Sequence, residues 1–184
     1  MLVKEWNELP DFMQVEEVKP YYDILKKRKL QLILKRIFDI VCSSILIILL
    51  SPILLILSIW IKLDSKGPVF YRQERITQYG KIFRIFKFRT MVTNADKIGT
   101  LVTTQNDSRI TKVGNKIRKC RLDELPQVFN IFLGDMSFVG TRPEVQKYVD
   151  AYTNEMLATL LLPAGVTSLA SIKYRDEDEI IEQK

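Results

Sequence analysis

Asp123 and Glu124 stand side by side after a stretch, Arg109 to Arg121, in which six of thirteen residues are basic and none is acidic. A carboxylate among such cations keeps its charge, because opposite charges nearby favour the ionised form and lower the pKa. The same cations can hold a polyanionic substrate against it. Consecutive residues on a helix point about 100° apart, so adjacent carboxylates share a target most readily at a helix start. With Asp123 as the N-cap and Glu124 in the first turn, both would reach the space beyond the helix N-terminus, where free N–H groups and the dipole favour anions. A carboxylate there can attack phosphorus. A divalent metal between Asp123 and Glu124 would reduce the repulsion between the two anions, and Mg2+ suits oxygen ligands and phosphate. The same spacing also fits a capping Asp beside a salt-bridged Glu. Arg89, Arg118 and Arg142 are candidates for phosphate oxygens, because a guanidinium makes forked contacts with them. Lys87 and Arg121 are further candidates, and each of these cations also fits a structural ion pair.

Composition narrows the chemistry. The 184 residues amount to about one domain, and they include no histidine. That removes His-based triads, imidazole proton shuttles and most transition-metal sites. The two cysteines, Cys42 in an apolar run and Cys120 in the basic stretch, make neither a metal-ligand spacing nor a disulfide framework. A net charge of +6 points to an acidic partner: nucleic acid, anionic lipid or a phosphorylated small molecule. No groove-reading or base-stacking motif is present, so no nucleic acid is expected.

The elements that must position this chemistry include a membrane segment. Ile40 to Ile61 is a run of twenty-two residues without a charge, long enough for a membrane helix. Ser51-Pro52 lies at its centre, and proline there removes a helix hydrogen bond and crowds the preceding turn. Two forms fit, a kinked span and a hairpin that enters and leaves by one face. Cations flank both ends, Lys26, Lys27, Arg28, Lys29, Lys35 and Arg36 before and Lys62, Lys66, Arg72 and Arg75 after. A true span is expected to be asymmetric, so the hairpin is favoured.

Residues 1–20 read as an extension, and residues 21–39 as an amphipathic helix suited to a headgroup surface. Val69–Ile76 and Lys81–Phe88 about Thr77–Gly80 read as a β-hairpin. Residues 94–108 read as a helix turn and polar loop that fits a lid and fits an ordinary surface loop at least as well. Thr111 caps a helix over roughly 112–121, and Asp123 caps the next, with Leu125, Val128, Phe129 and Phe132 inward and Gly134 as its left-handed stop. Residues 144–162 form one amphipathic helix ended by Pro163-Ala164-Gly165. Asp39, beside the apolar run, orients or pairs with basic neighbours.

Several stretches, in order, resemble one family: Lys35-Arg36-Ile37-Phe38-Asp39, Ser51-Pro52, Gly67-Pro68-Val69-Phe70-Tyr71-Arg72-Gln73-Glu74-Arg75 and Phe86-Lys87-Phe88-Arg89-Thr90-Met91. Leu122-Asp123-Glu124-Leu125-Pro126-Gln127, Gly134 to Gly140 and Arg142-Pro143-Glu144 continue the match. The chain resembles the bacterial sugar transferases, small monotopic phosphoglycosyl transferases, over roughly residues 33–170. The resemblance implies a predominantly α (α+β) monotopic membrane protein with a re-entrant N-terminal helix hairpin broken at Ser51-Pro52, a small β-hairpin and interfacial helices. It implies transfer of a sugar 1-phosphate from a UDP-sugar to polyprenyl phosphate, with release of UMP, at the cytoplasmic face of a bacterial inner membrane. It makes Asp123 the nucleophile of a covalent phosphosugar intermediate and gives Glu124 a role in Mg2+ placement or proton handling.

The expected division is 1–32, extension and interfacial helix; 33–62, re-entrant helix; and 63–184, a cytoplasmic catalytic domain with a shortened C-terminus. The bilayer, downstream glycosyltransferases and a second copy are the further partners considered. A catalytically silent membrane-anchored scaffold is the alternative. Ser168 stands where many members have the second glycine of a Pro-Gly-Ile-Thr-Gly run.

Overall fold

Pro52 does not end the apolar helix. In the computed structural model, which describes residues 3–95 and 107–173, the apolar run lies inside one continuous helix, α2, Lys29–Asp64. A residue at position 52 would ordinarily donate its N–H to the carbonyl of Ile48, and proline has none to give. The Ser51 hydroxyl donates to that same carbonyl at 2.8 Å. The orphaned acceptor is therefore satisfied and the helix continues through Ser51-Pro52 without leaving helical form, as a helix bent at proline also does. Along α2 the side chains of Ile45, Ile48, Leu49, Leu55, Ile56 and Ile59 are exposed. Such an apolar surface fits hydrocarbon better than water.

The remaining elements are α1 (Lys19–Lys27), β1 (Phe70–Ile76), β2 (Ile82–Phe88), α3 (Lys112–Lys119), α4 (Gln127–Leu133), β3 (Met136–Val139), α5 (Gln146–Val149), β4 (Ala164–Thr167) and α6 (Leu169–Lys173). The strands form two separate pairs, β1 with β2 and β3 with β4. Only five residues join β1 to β2, too few for a parallel crossover, so these two form the expected hairpin. Residues 96–106, which hold most of the lid segment, and the acidic stretch from 176 lie outside the described residues.

Contacts divide the chain into two compact units that interleave along the sequence, a different partition from one that follows chain order at 32 and 62. The first is Met1–Cys42, Glu74–Phe83 and Ile131–Lys184; the second is Ser43–Gln73 and Arg84–Asn130.

In the first unit, Leu9, Met13, Val18 and Tyr22 are buried with Ile76, Val149, Leu160 and Leu161. The N-terminal residues expected as an extension thus supply part of a core, and Trp6 meets Tyr22 edge-on at 5.0 Å between ring centres. Residues 144–162 are not one helix. They make α5, a turn, and a 3-10 segment at Met156–Leu161. Thr153 and Asn154 interrupt the pattern, since short polar side chains offer the backbone and their neighbours alternatives to helix bonds. Thr153 Oγ1 accepts from Met156 N at 3.4 Å, and Asn154 Nδ2 donates to Glu17 at 3.0 Å. Ala164–Thr167, expected as a helix stop, runs parallel to β3 with Met136 opposite Ala164 and Val139 opposite Thr167.

Asp39 is fully buried and accepts from Ser137 Oγ and Phe138 N at 3.1 and 3.2 Å. Lys35, one turn earlier, lies 3.8 Å from its carboxylate and donates to Ser137 Oγ and the Val139 carbonyl. Arg36 donates to the carbonyls of Ile131 and Phe132 at the end of α4. There Gly134 takes the expected left-handed φ, 95°.

In the second unit, Leu54, Leu57 and Ile61 of α2 pack with Phe88, Val113 and Ile117, and Phe70, Leu122, Leu125 and Phe129 border them. Phe70 stacks on Phe88 with 5.5 Å between ring centres. The end of α2 is closed by polar contacts. Arg89 donates to the carbonyls of Ser65 and Lys66 and to Ser65 Oγ at 2.7 to 2.9 Å. Gly67 makes room for this guanidinium, because a Cβ there would lie 1.9 Å from Arg89 Nη1, and its φ of 130° is strained for other residues. The last residue of α2, Asp64, accepts from Val113 N at 3.1 Å, while Thr111 Oγ1 caps Gly114 N at 2.9 Å as its position predicts.

Candidate active site

Three elements of the second unit carry the acidic pair and its cations. Lys87 comes from β2, Arg118 from α3, and Asp123 and Glu124 from a single 3-10 turn, Leu122–Glu124. Arg121, which precedes the turn, has a left-handed backbone at φ 52° and redirects the chain as α3 ends. Its N–H still donates to the Arg118 carbonyl at 2.9 Å. Asp123 is therefore not the N-cap expected from its position. The turn closes through Leu125 N to the Leu122 carbonyl at 3.3 Å, and α4 begins only at Gln127, after Pro126.

Leu122 and Leu125, on either side of the acids, pack against the apolar core and seat the turn. From α4, Asn130 is buried and bonds β2 from its side chain, accepting from Phe86 N at 2.8 Å and donating to the Arg84 carbonyl at 3.1 Å. Lys87 is thereby held in a strand fastened to the helix behind the acids. Phe132, expected on the inner face of α4, is 45% exposed, whereas Asn130 and Ile131 are buried.

Lys87 Nζ meets Glu124 Oε1 at 2.7 Å, with both side chains 22% exposed. Asp123 is half-buried and makes no ion pair with any described residue. Burial pushes its pKa up, and the neighbouring Glu124 charge adds to that; Lys87 and Arg118 pull the other way without winning. The expectation of a depressed pKa is thus reversed. The basic stretch supplies less positive charge to Asp123 than its composition promised, because Arg109 grips Asp107 through Nε and Nη2 at 2.9 and 2.6 Å. That pairing holds Asp107 down at about 2.

The other expected phosphate ligands have different settings. Arg89 is 5% exposed and committed to the end of α2. Arg121 is exposed. Arg142 belongs to the first unit, where it lines a small recess with Glu144, Tyr152 and Thr159. Sequence reasoning missed Asp64 and Asn130, which position α3 and β2. Asp64 carried one weak signal, the first acid after the apolar run, whereas nothing local marked Asn130.

Among the described residues no three acidic or thiol side chains cluster as a ready metal cage. Asp123 and Glu124 nevertheless offer adjacent carboxylates, one of them without an ion pair. This set fits Mg2+, which binds through one or two carboxylates and completes its shell with phosphate oxygens and water.

The raised pKa has a consequence for stability. A carboxyl that holds its proton more tightly in the folded state contributes stability below its unfolded value of 3.8, and that contribution is lost as pH rises through the folded value. Asp123→Asn is expected to gain thermal midpoint relative to wild type between pH 4 and pH 7. A variant that loses ground over that interval would contradict the electrostatic account.

The sequence model of the bacterial sugar transferases matches residues 30–184. A Bacillus subtilis protein provisionally named an undecaprenyl-phosphate N-acetylgalactosaminyl 1-phosphate transferase is 38% identical over 135 residues, 73% of this chain and 75% of its own length. The Aeromonas hydrophila UDP-N-acetylgalactosamine-undecaprenyl-phosphate N-acetylgalactosaminephosphotransferase is 45% identical over 123 residues, 67% of this chain and 29% of its own. The Klebsiella pneumoniae UDP-glucose:undecaprenyl-phosphate glucose-1-phosphate transferase is 41% identical over 160 residues, 84% of this chain and 34% of its own. The chain thus covers most of the Bacillus relative and about a third of the two longer ones. With Lys87, Arg118, Asp123 and Glu124 all inside the matched region, the chain belongs to the bacterial sugar transferase family.

Proposed function

We propose that this chain transfers a sugar 1-phosphate from a UDP-sugar to polyprenyl phosphate through a covalent phosphosugar on Asp123, releasing UMP. The observation that carries this reading is a half-buried carboxylate of raised pKa, without an ion pair of its own, beside a lysine anchored by the neighbouring acid. Partial desolvation makes the Asp123 carboxylate more basic and so a stronger nucleophile than one in water. Lys87 and Arg118 supply positive charge toward the same place, and a phosphate group has use for it.

In the first step, an Asp123 oxygen attacks the β-phosphorus of the donor. The bond from that phosphorus to the bridging oxygen breaks, and UMP leaves with the electron pair. In the second, a phosphate oxygen of polyprenyl phosphate attacks the same phosphorus. The bond to Asp123 breaks, the carboxylate is regenerated, and a polyprenyl diphosphate sugar departs. Glu124 keeps Lys87 in place during both steps. A Mg2+ ion at Asp123 and Glu124 would supply neutralising charge for the diphosphate.

The relatives' names supply the substrate classes, UDP-sugars and undecaprenyl phosphate, but they differ in the sugar. The exposed apolar belt of α2 supports a membrane setting. Cations on both of its flanks support the re-entrant, monotopic form with the catalytic residues on the cytoplasmic face of a bacterial inner membrane. The reaction would then open a pathway of envelope polysaccharide assembly.

A panel of UDP-sugars, assayed for UMP release with polyprenyl phosphate and Mg2+, is expected to identify a donor. Asp123→Asn should lower the rate with that donor on the order of a thousandfold or more, about 4 kcal/mol of barrier; near-normal turnover by the variant would remove Asp123 from its role. In a cysteine-free background, single cysteines at Lys4 and Asn115 should be labelled from the same side of the membrane in intact cells. Labelling from opposite sides would establish a span instead.

A further inference from the structure

Helix α3 carries its lysines on one strip. At about 100° per residue, Lys112, Lys116 and Lys119 fall within an arc of roughly 60°, while Arg118, the α3 cation whose charge reaches Asp123, lies at least roughly 100° around the helix. All three lysines are exposed, and none makes an ion pair with a described residue. Val113 and Ile117, on another face, are buried against α2 and β2. The strip is therefore not part of the core, and it is turned away from the cation that acts on the acidic turn.

Its position is marked by an aromatic ring. Lys116 Nζ stands over the ring of Trp60, 5.5 Å from its centre, and Trp60 is 40% exposed one turn before α2 ends at Asp64. Before Trp60 the exposed apolar side chains of α2 include Ile53, Leu55, Ile56 and Ile59; after it come the exposed Lys62 and Leu63 and then Asp64, where the helix ends. An apolar series that reaches tryptophan and then gives way to charged residues is the pattern of side chains crossing from hydrocarbon into headgroups. The contact between Lys116 and Trp60 puts the lysine strip at that level.

We propose that Lys112, Lys116 and Lys119 form a docking surface for the anionic phospholipid headgroups of the bilayer, seating α3 on the membrane at the depth set by Trp60. The inference rests on the reading of α2 as membrane-embedded. Charge complementarity selects this occupant: closely spaced cations without counter-ions among the described residues face the layer in which anionic lipid phosphates lie. Docking α3 in this way would also hold Arg118, on the same short helix, at a fixed height relative to a lipid-borne phosphate.

Cys120, exposed immediately after α3, serves as the reporter. In a Cys42→Ala background, the full chain is placed in nanodiscs of phosphatidylcholine with or without phosphatidylglycerol, and the rate of Cys120 alkylation by N-ethylmaleimide is followed. The anionic lipid should slow labelling by about threefold or more. High salt should relieve the slowing, since about 1 M salt shortens the screening length to about 3 Å. Replacement of the three lysines by glutamate, or by glutamine if the former disturbs the circular dichroism, should relieve it as well.

Equal rates in the two discs, or slowing that survives loss of the lysines, would overturn the proposal. So would protection by a UDP-sugar alone in neutral discs, which would assign the strip to substrate phosphate. A chain that fails to enter the discs would overturn this inference together with the membrane reading of α2. UMP release is not part of the readout, so an error in the transferase reading leaves the test intact.

Discussion

A guanidinium almost out of contact with water closes the end of α2, and much of the second unit is arranged around it. A cation taken out of water must find acceptors, and the last carbonyls of a helix lack partners. Arg89 meets part of both needs at Ser65 and Lys66, just past the last residue of α2, although its buried Nε has no hydrogen-bond partner among the described residues. Gly67 leaves the space that the guanidinium occupies. From the same helix end Asp64 caps α3, so the apolar helix, the strand that ends near Arg89 and the basic helix are joined at one point. Lys87 lies two residues before Arg89 in the chain, and Arg118 lies on the capped helix. The contacts that close the apolar helix therefore also position Lys87 and Arg118, the cations whose charge acts on Asp123.

At the acids themselves two electrostatic effects oppose each other. The basic stretch favours a charged Asp123, whereas burial favours a neutral one, and burial is the larger. Local pairing explains the balance. Glu124 takes Lys87, and Asp107 takes Arg109, so part of the positive charge counted in the sequence is consumed before it reaches Asp123. In the proposed reaction, this carboxylate, partly desolvated and without an ion pair among the described residues, meets an electrophile that brings its own need for positive charge.

Features set by short-range chemistry were legible in the sequence: the Thr111 cap, the β1–β2 hairpin, the left-handed Gly134 and the apolar run of α2, though not the division at Arg28 that splits the expected 21–39 helix between α1 and α2. Those set by distant partners were not. Nothing near Ala164 announces that it will pair with Met136, and nothing near Leu9 announces Leu161. The left-handed Arg121 shifted the start of α4 past Asp123, an event that capping preferences do not foresee because Arg is an uncommon residue in that conformation. Arg89 carried the right chemistry for phosphate, but its burial at a helix end depends on how the chain after α2 folds back. The proline was correctly seen as costing the helix a hydrogen bond, and Ser51 shows how one hydroxyl satisfies the carbonyl left over.

The most direct test of the account is the mass of the intact protein after mixing with the UDP-sugar that supports turnover, in the absence of polyprenyl phosphate. The account requires a gain equal to one sugar phosphate, located by peptide mapping on Asp123 and discharged when polyprenyl phosphate is added. Turnover with acceptor but no adduct without it, or an adduct on any other residue, would contradict the central role given to Asp123.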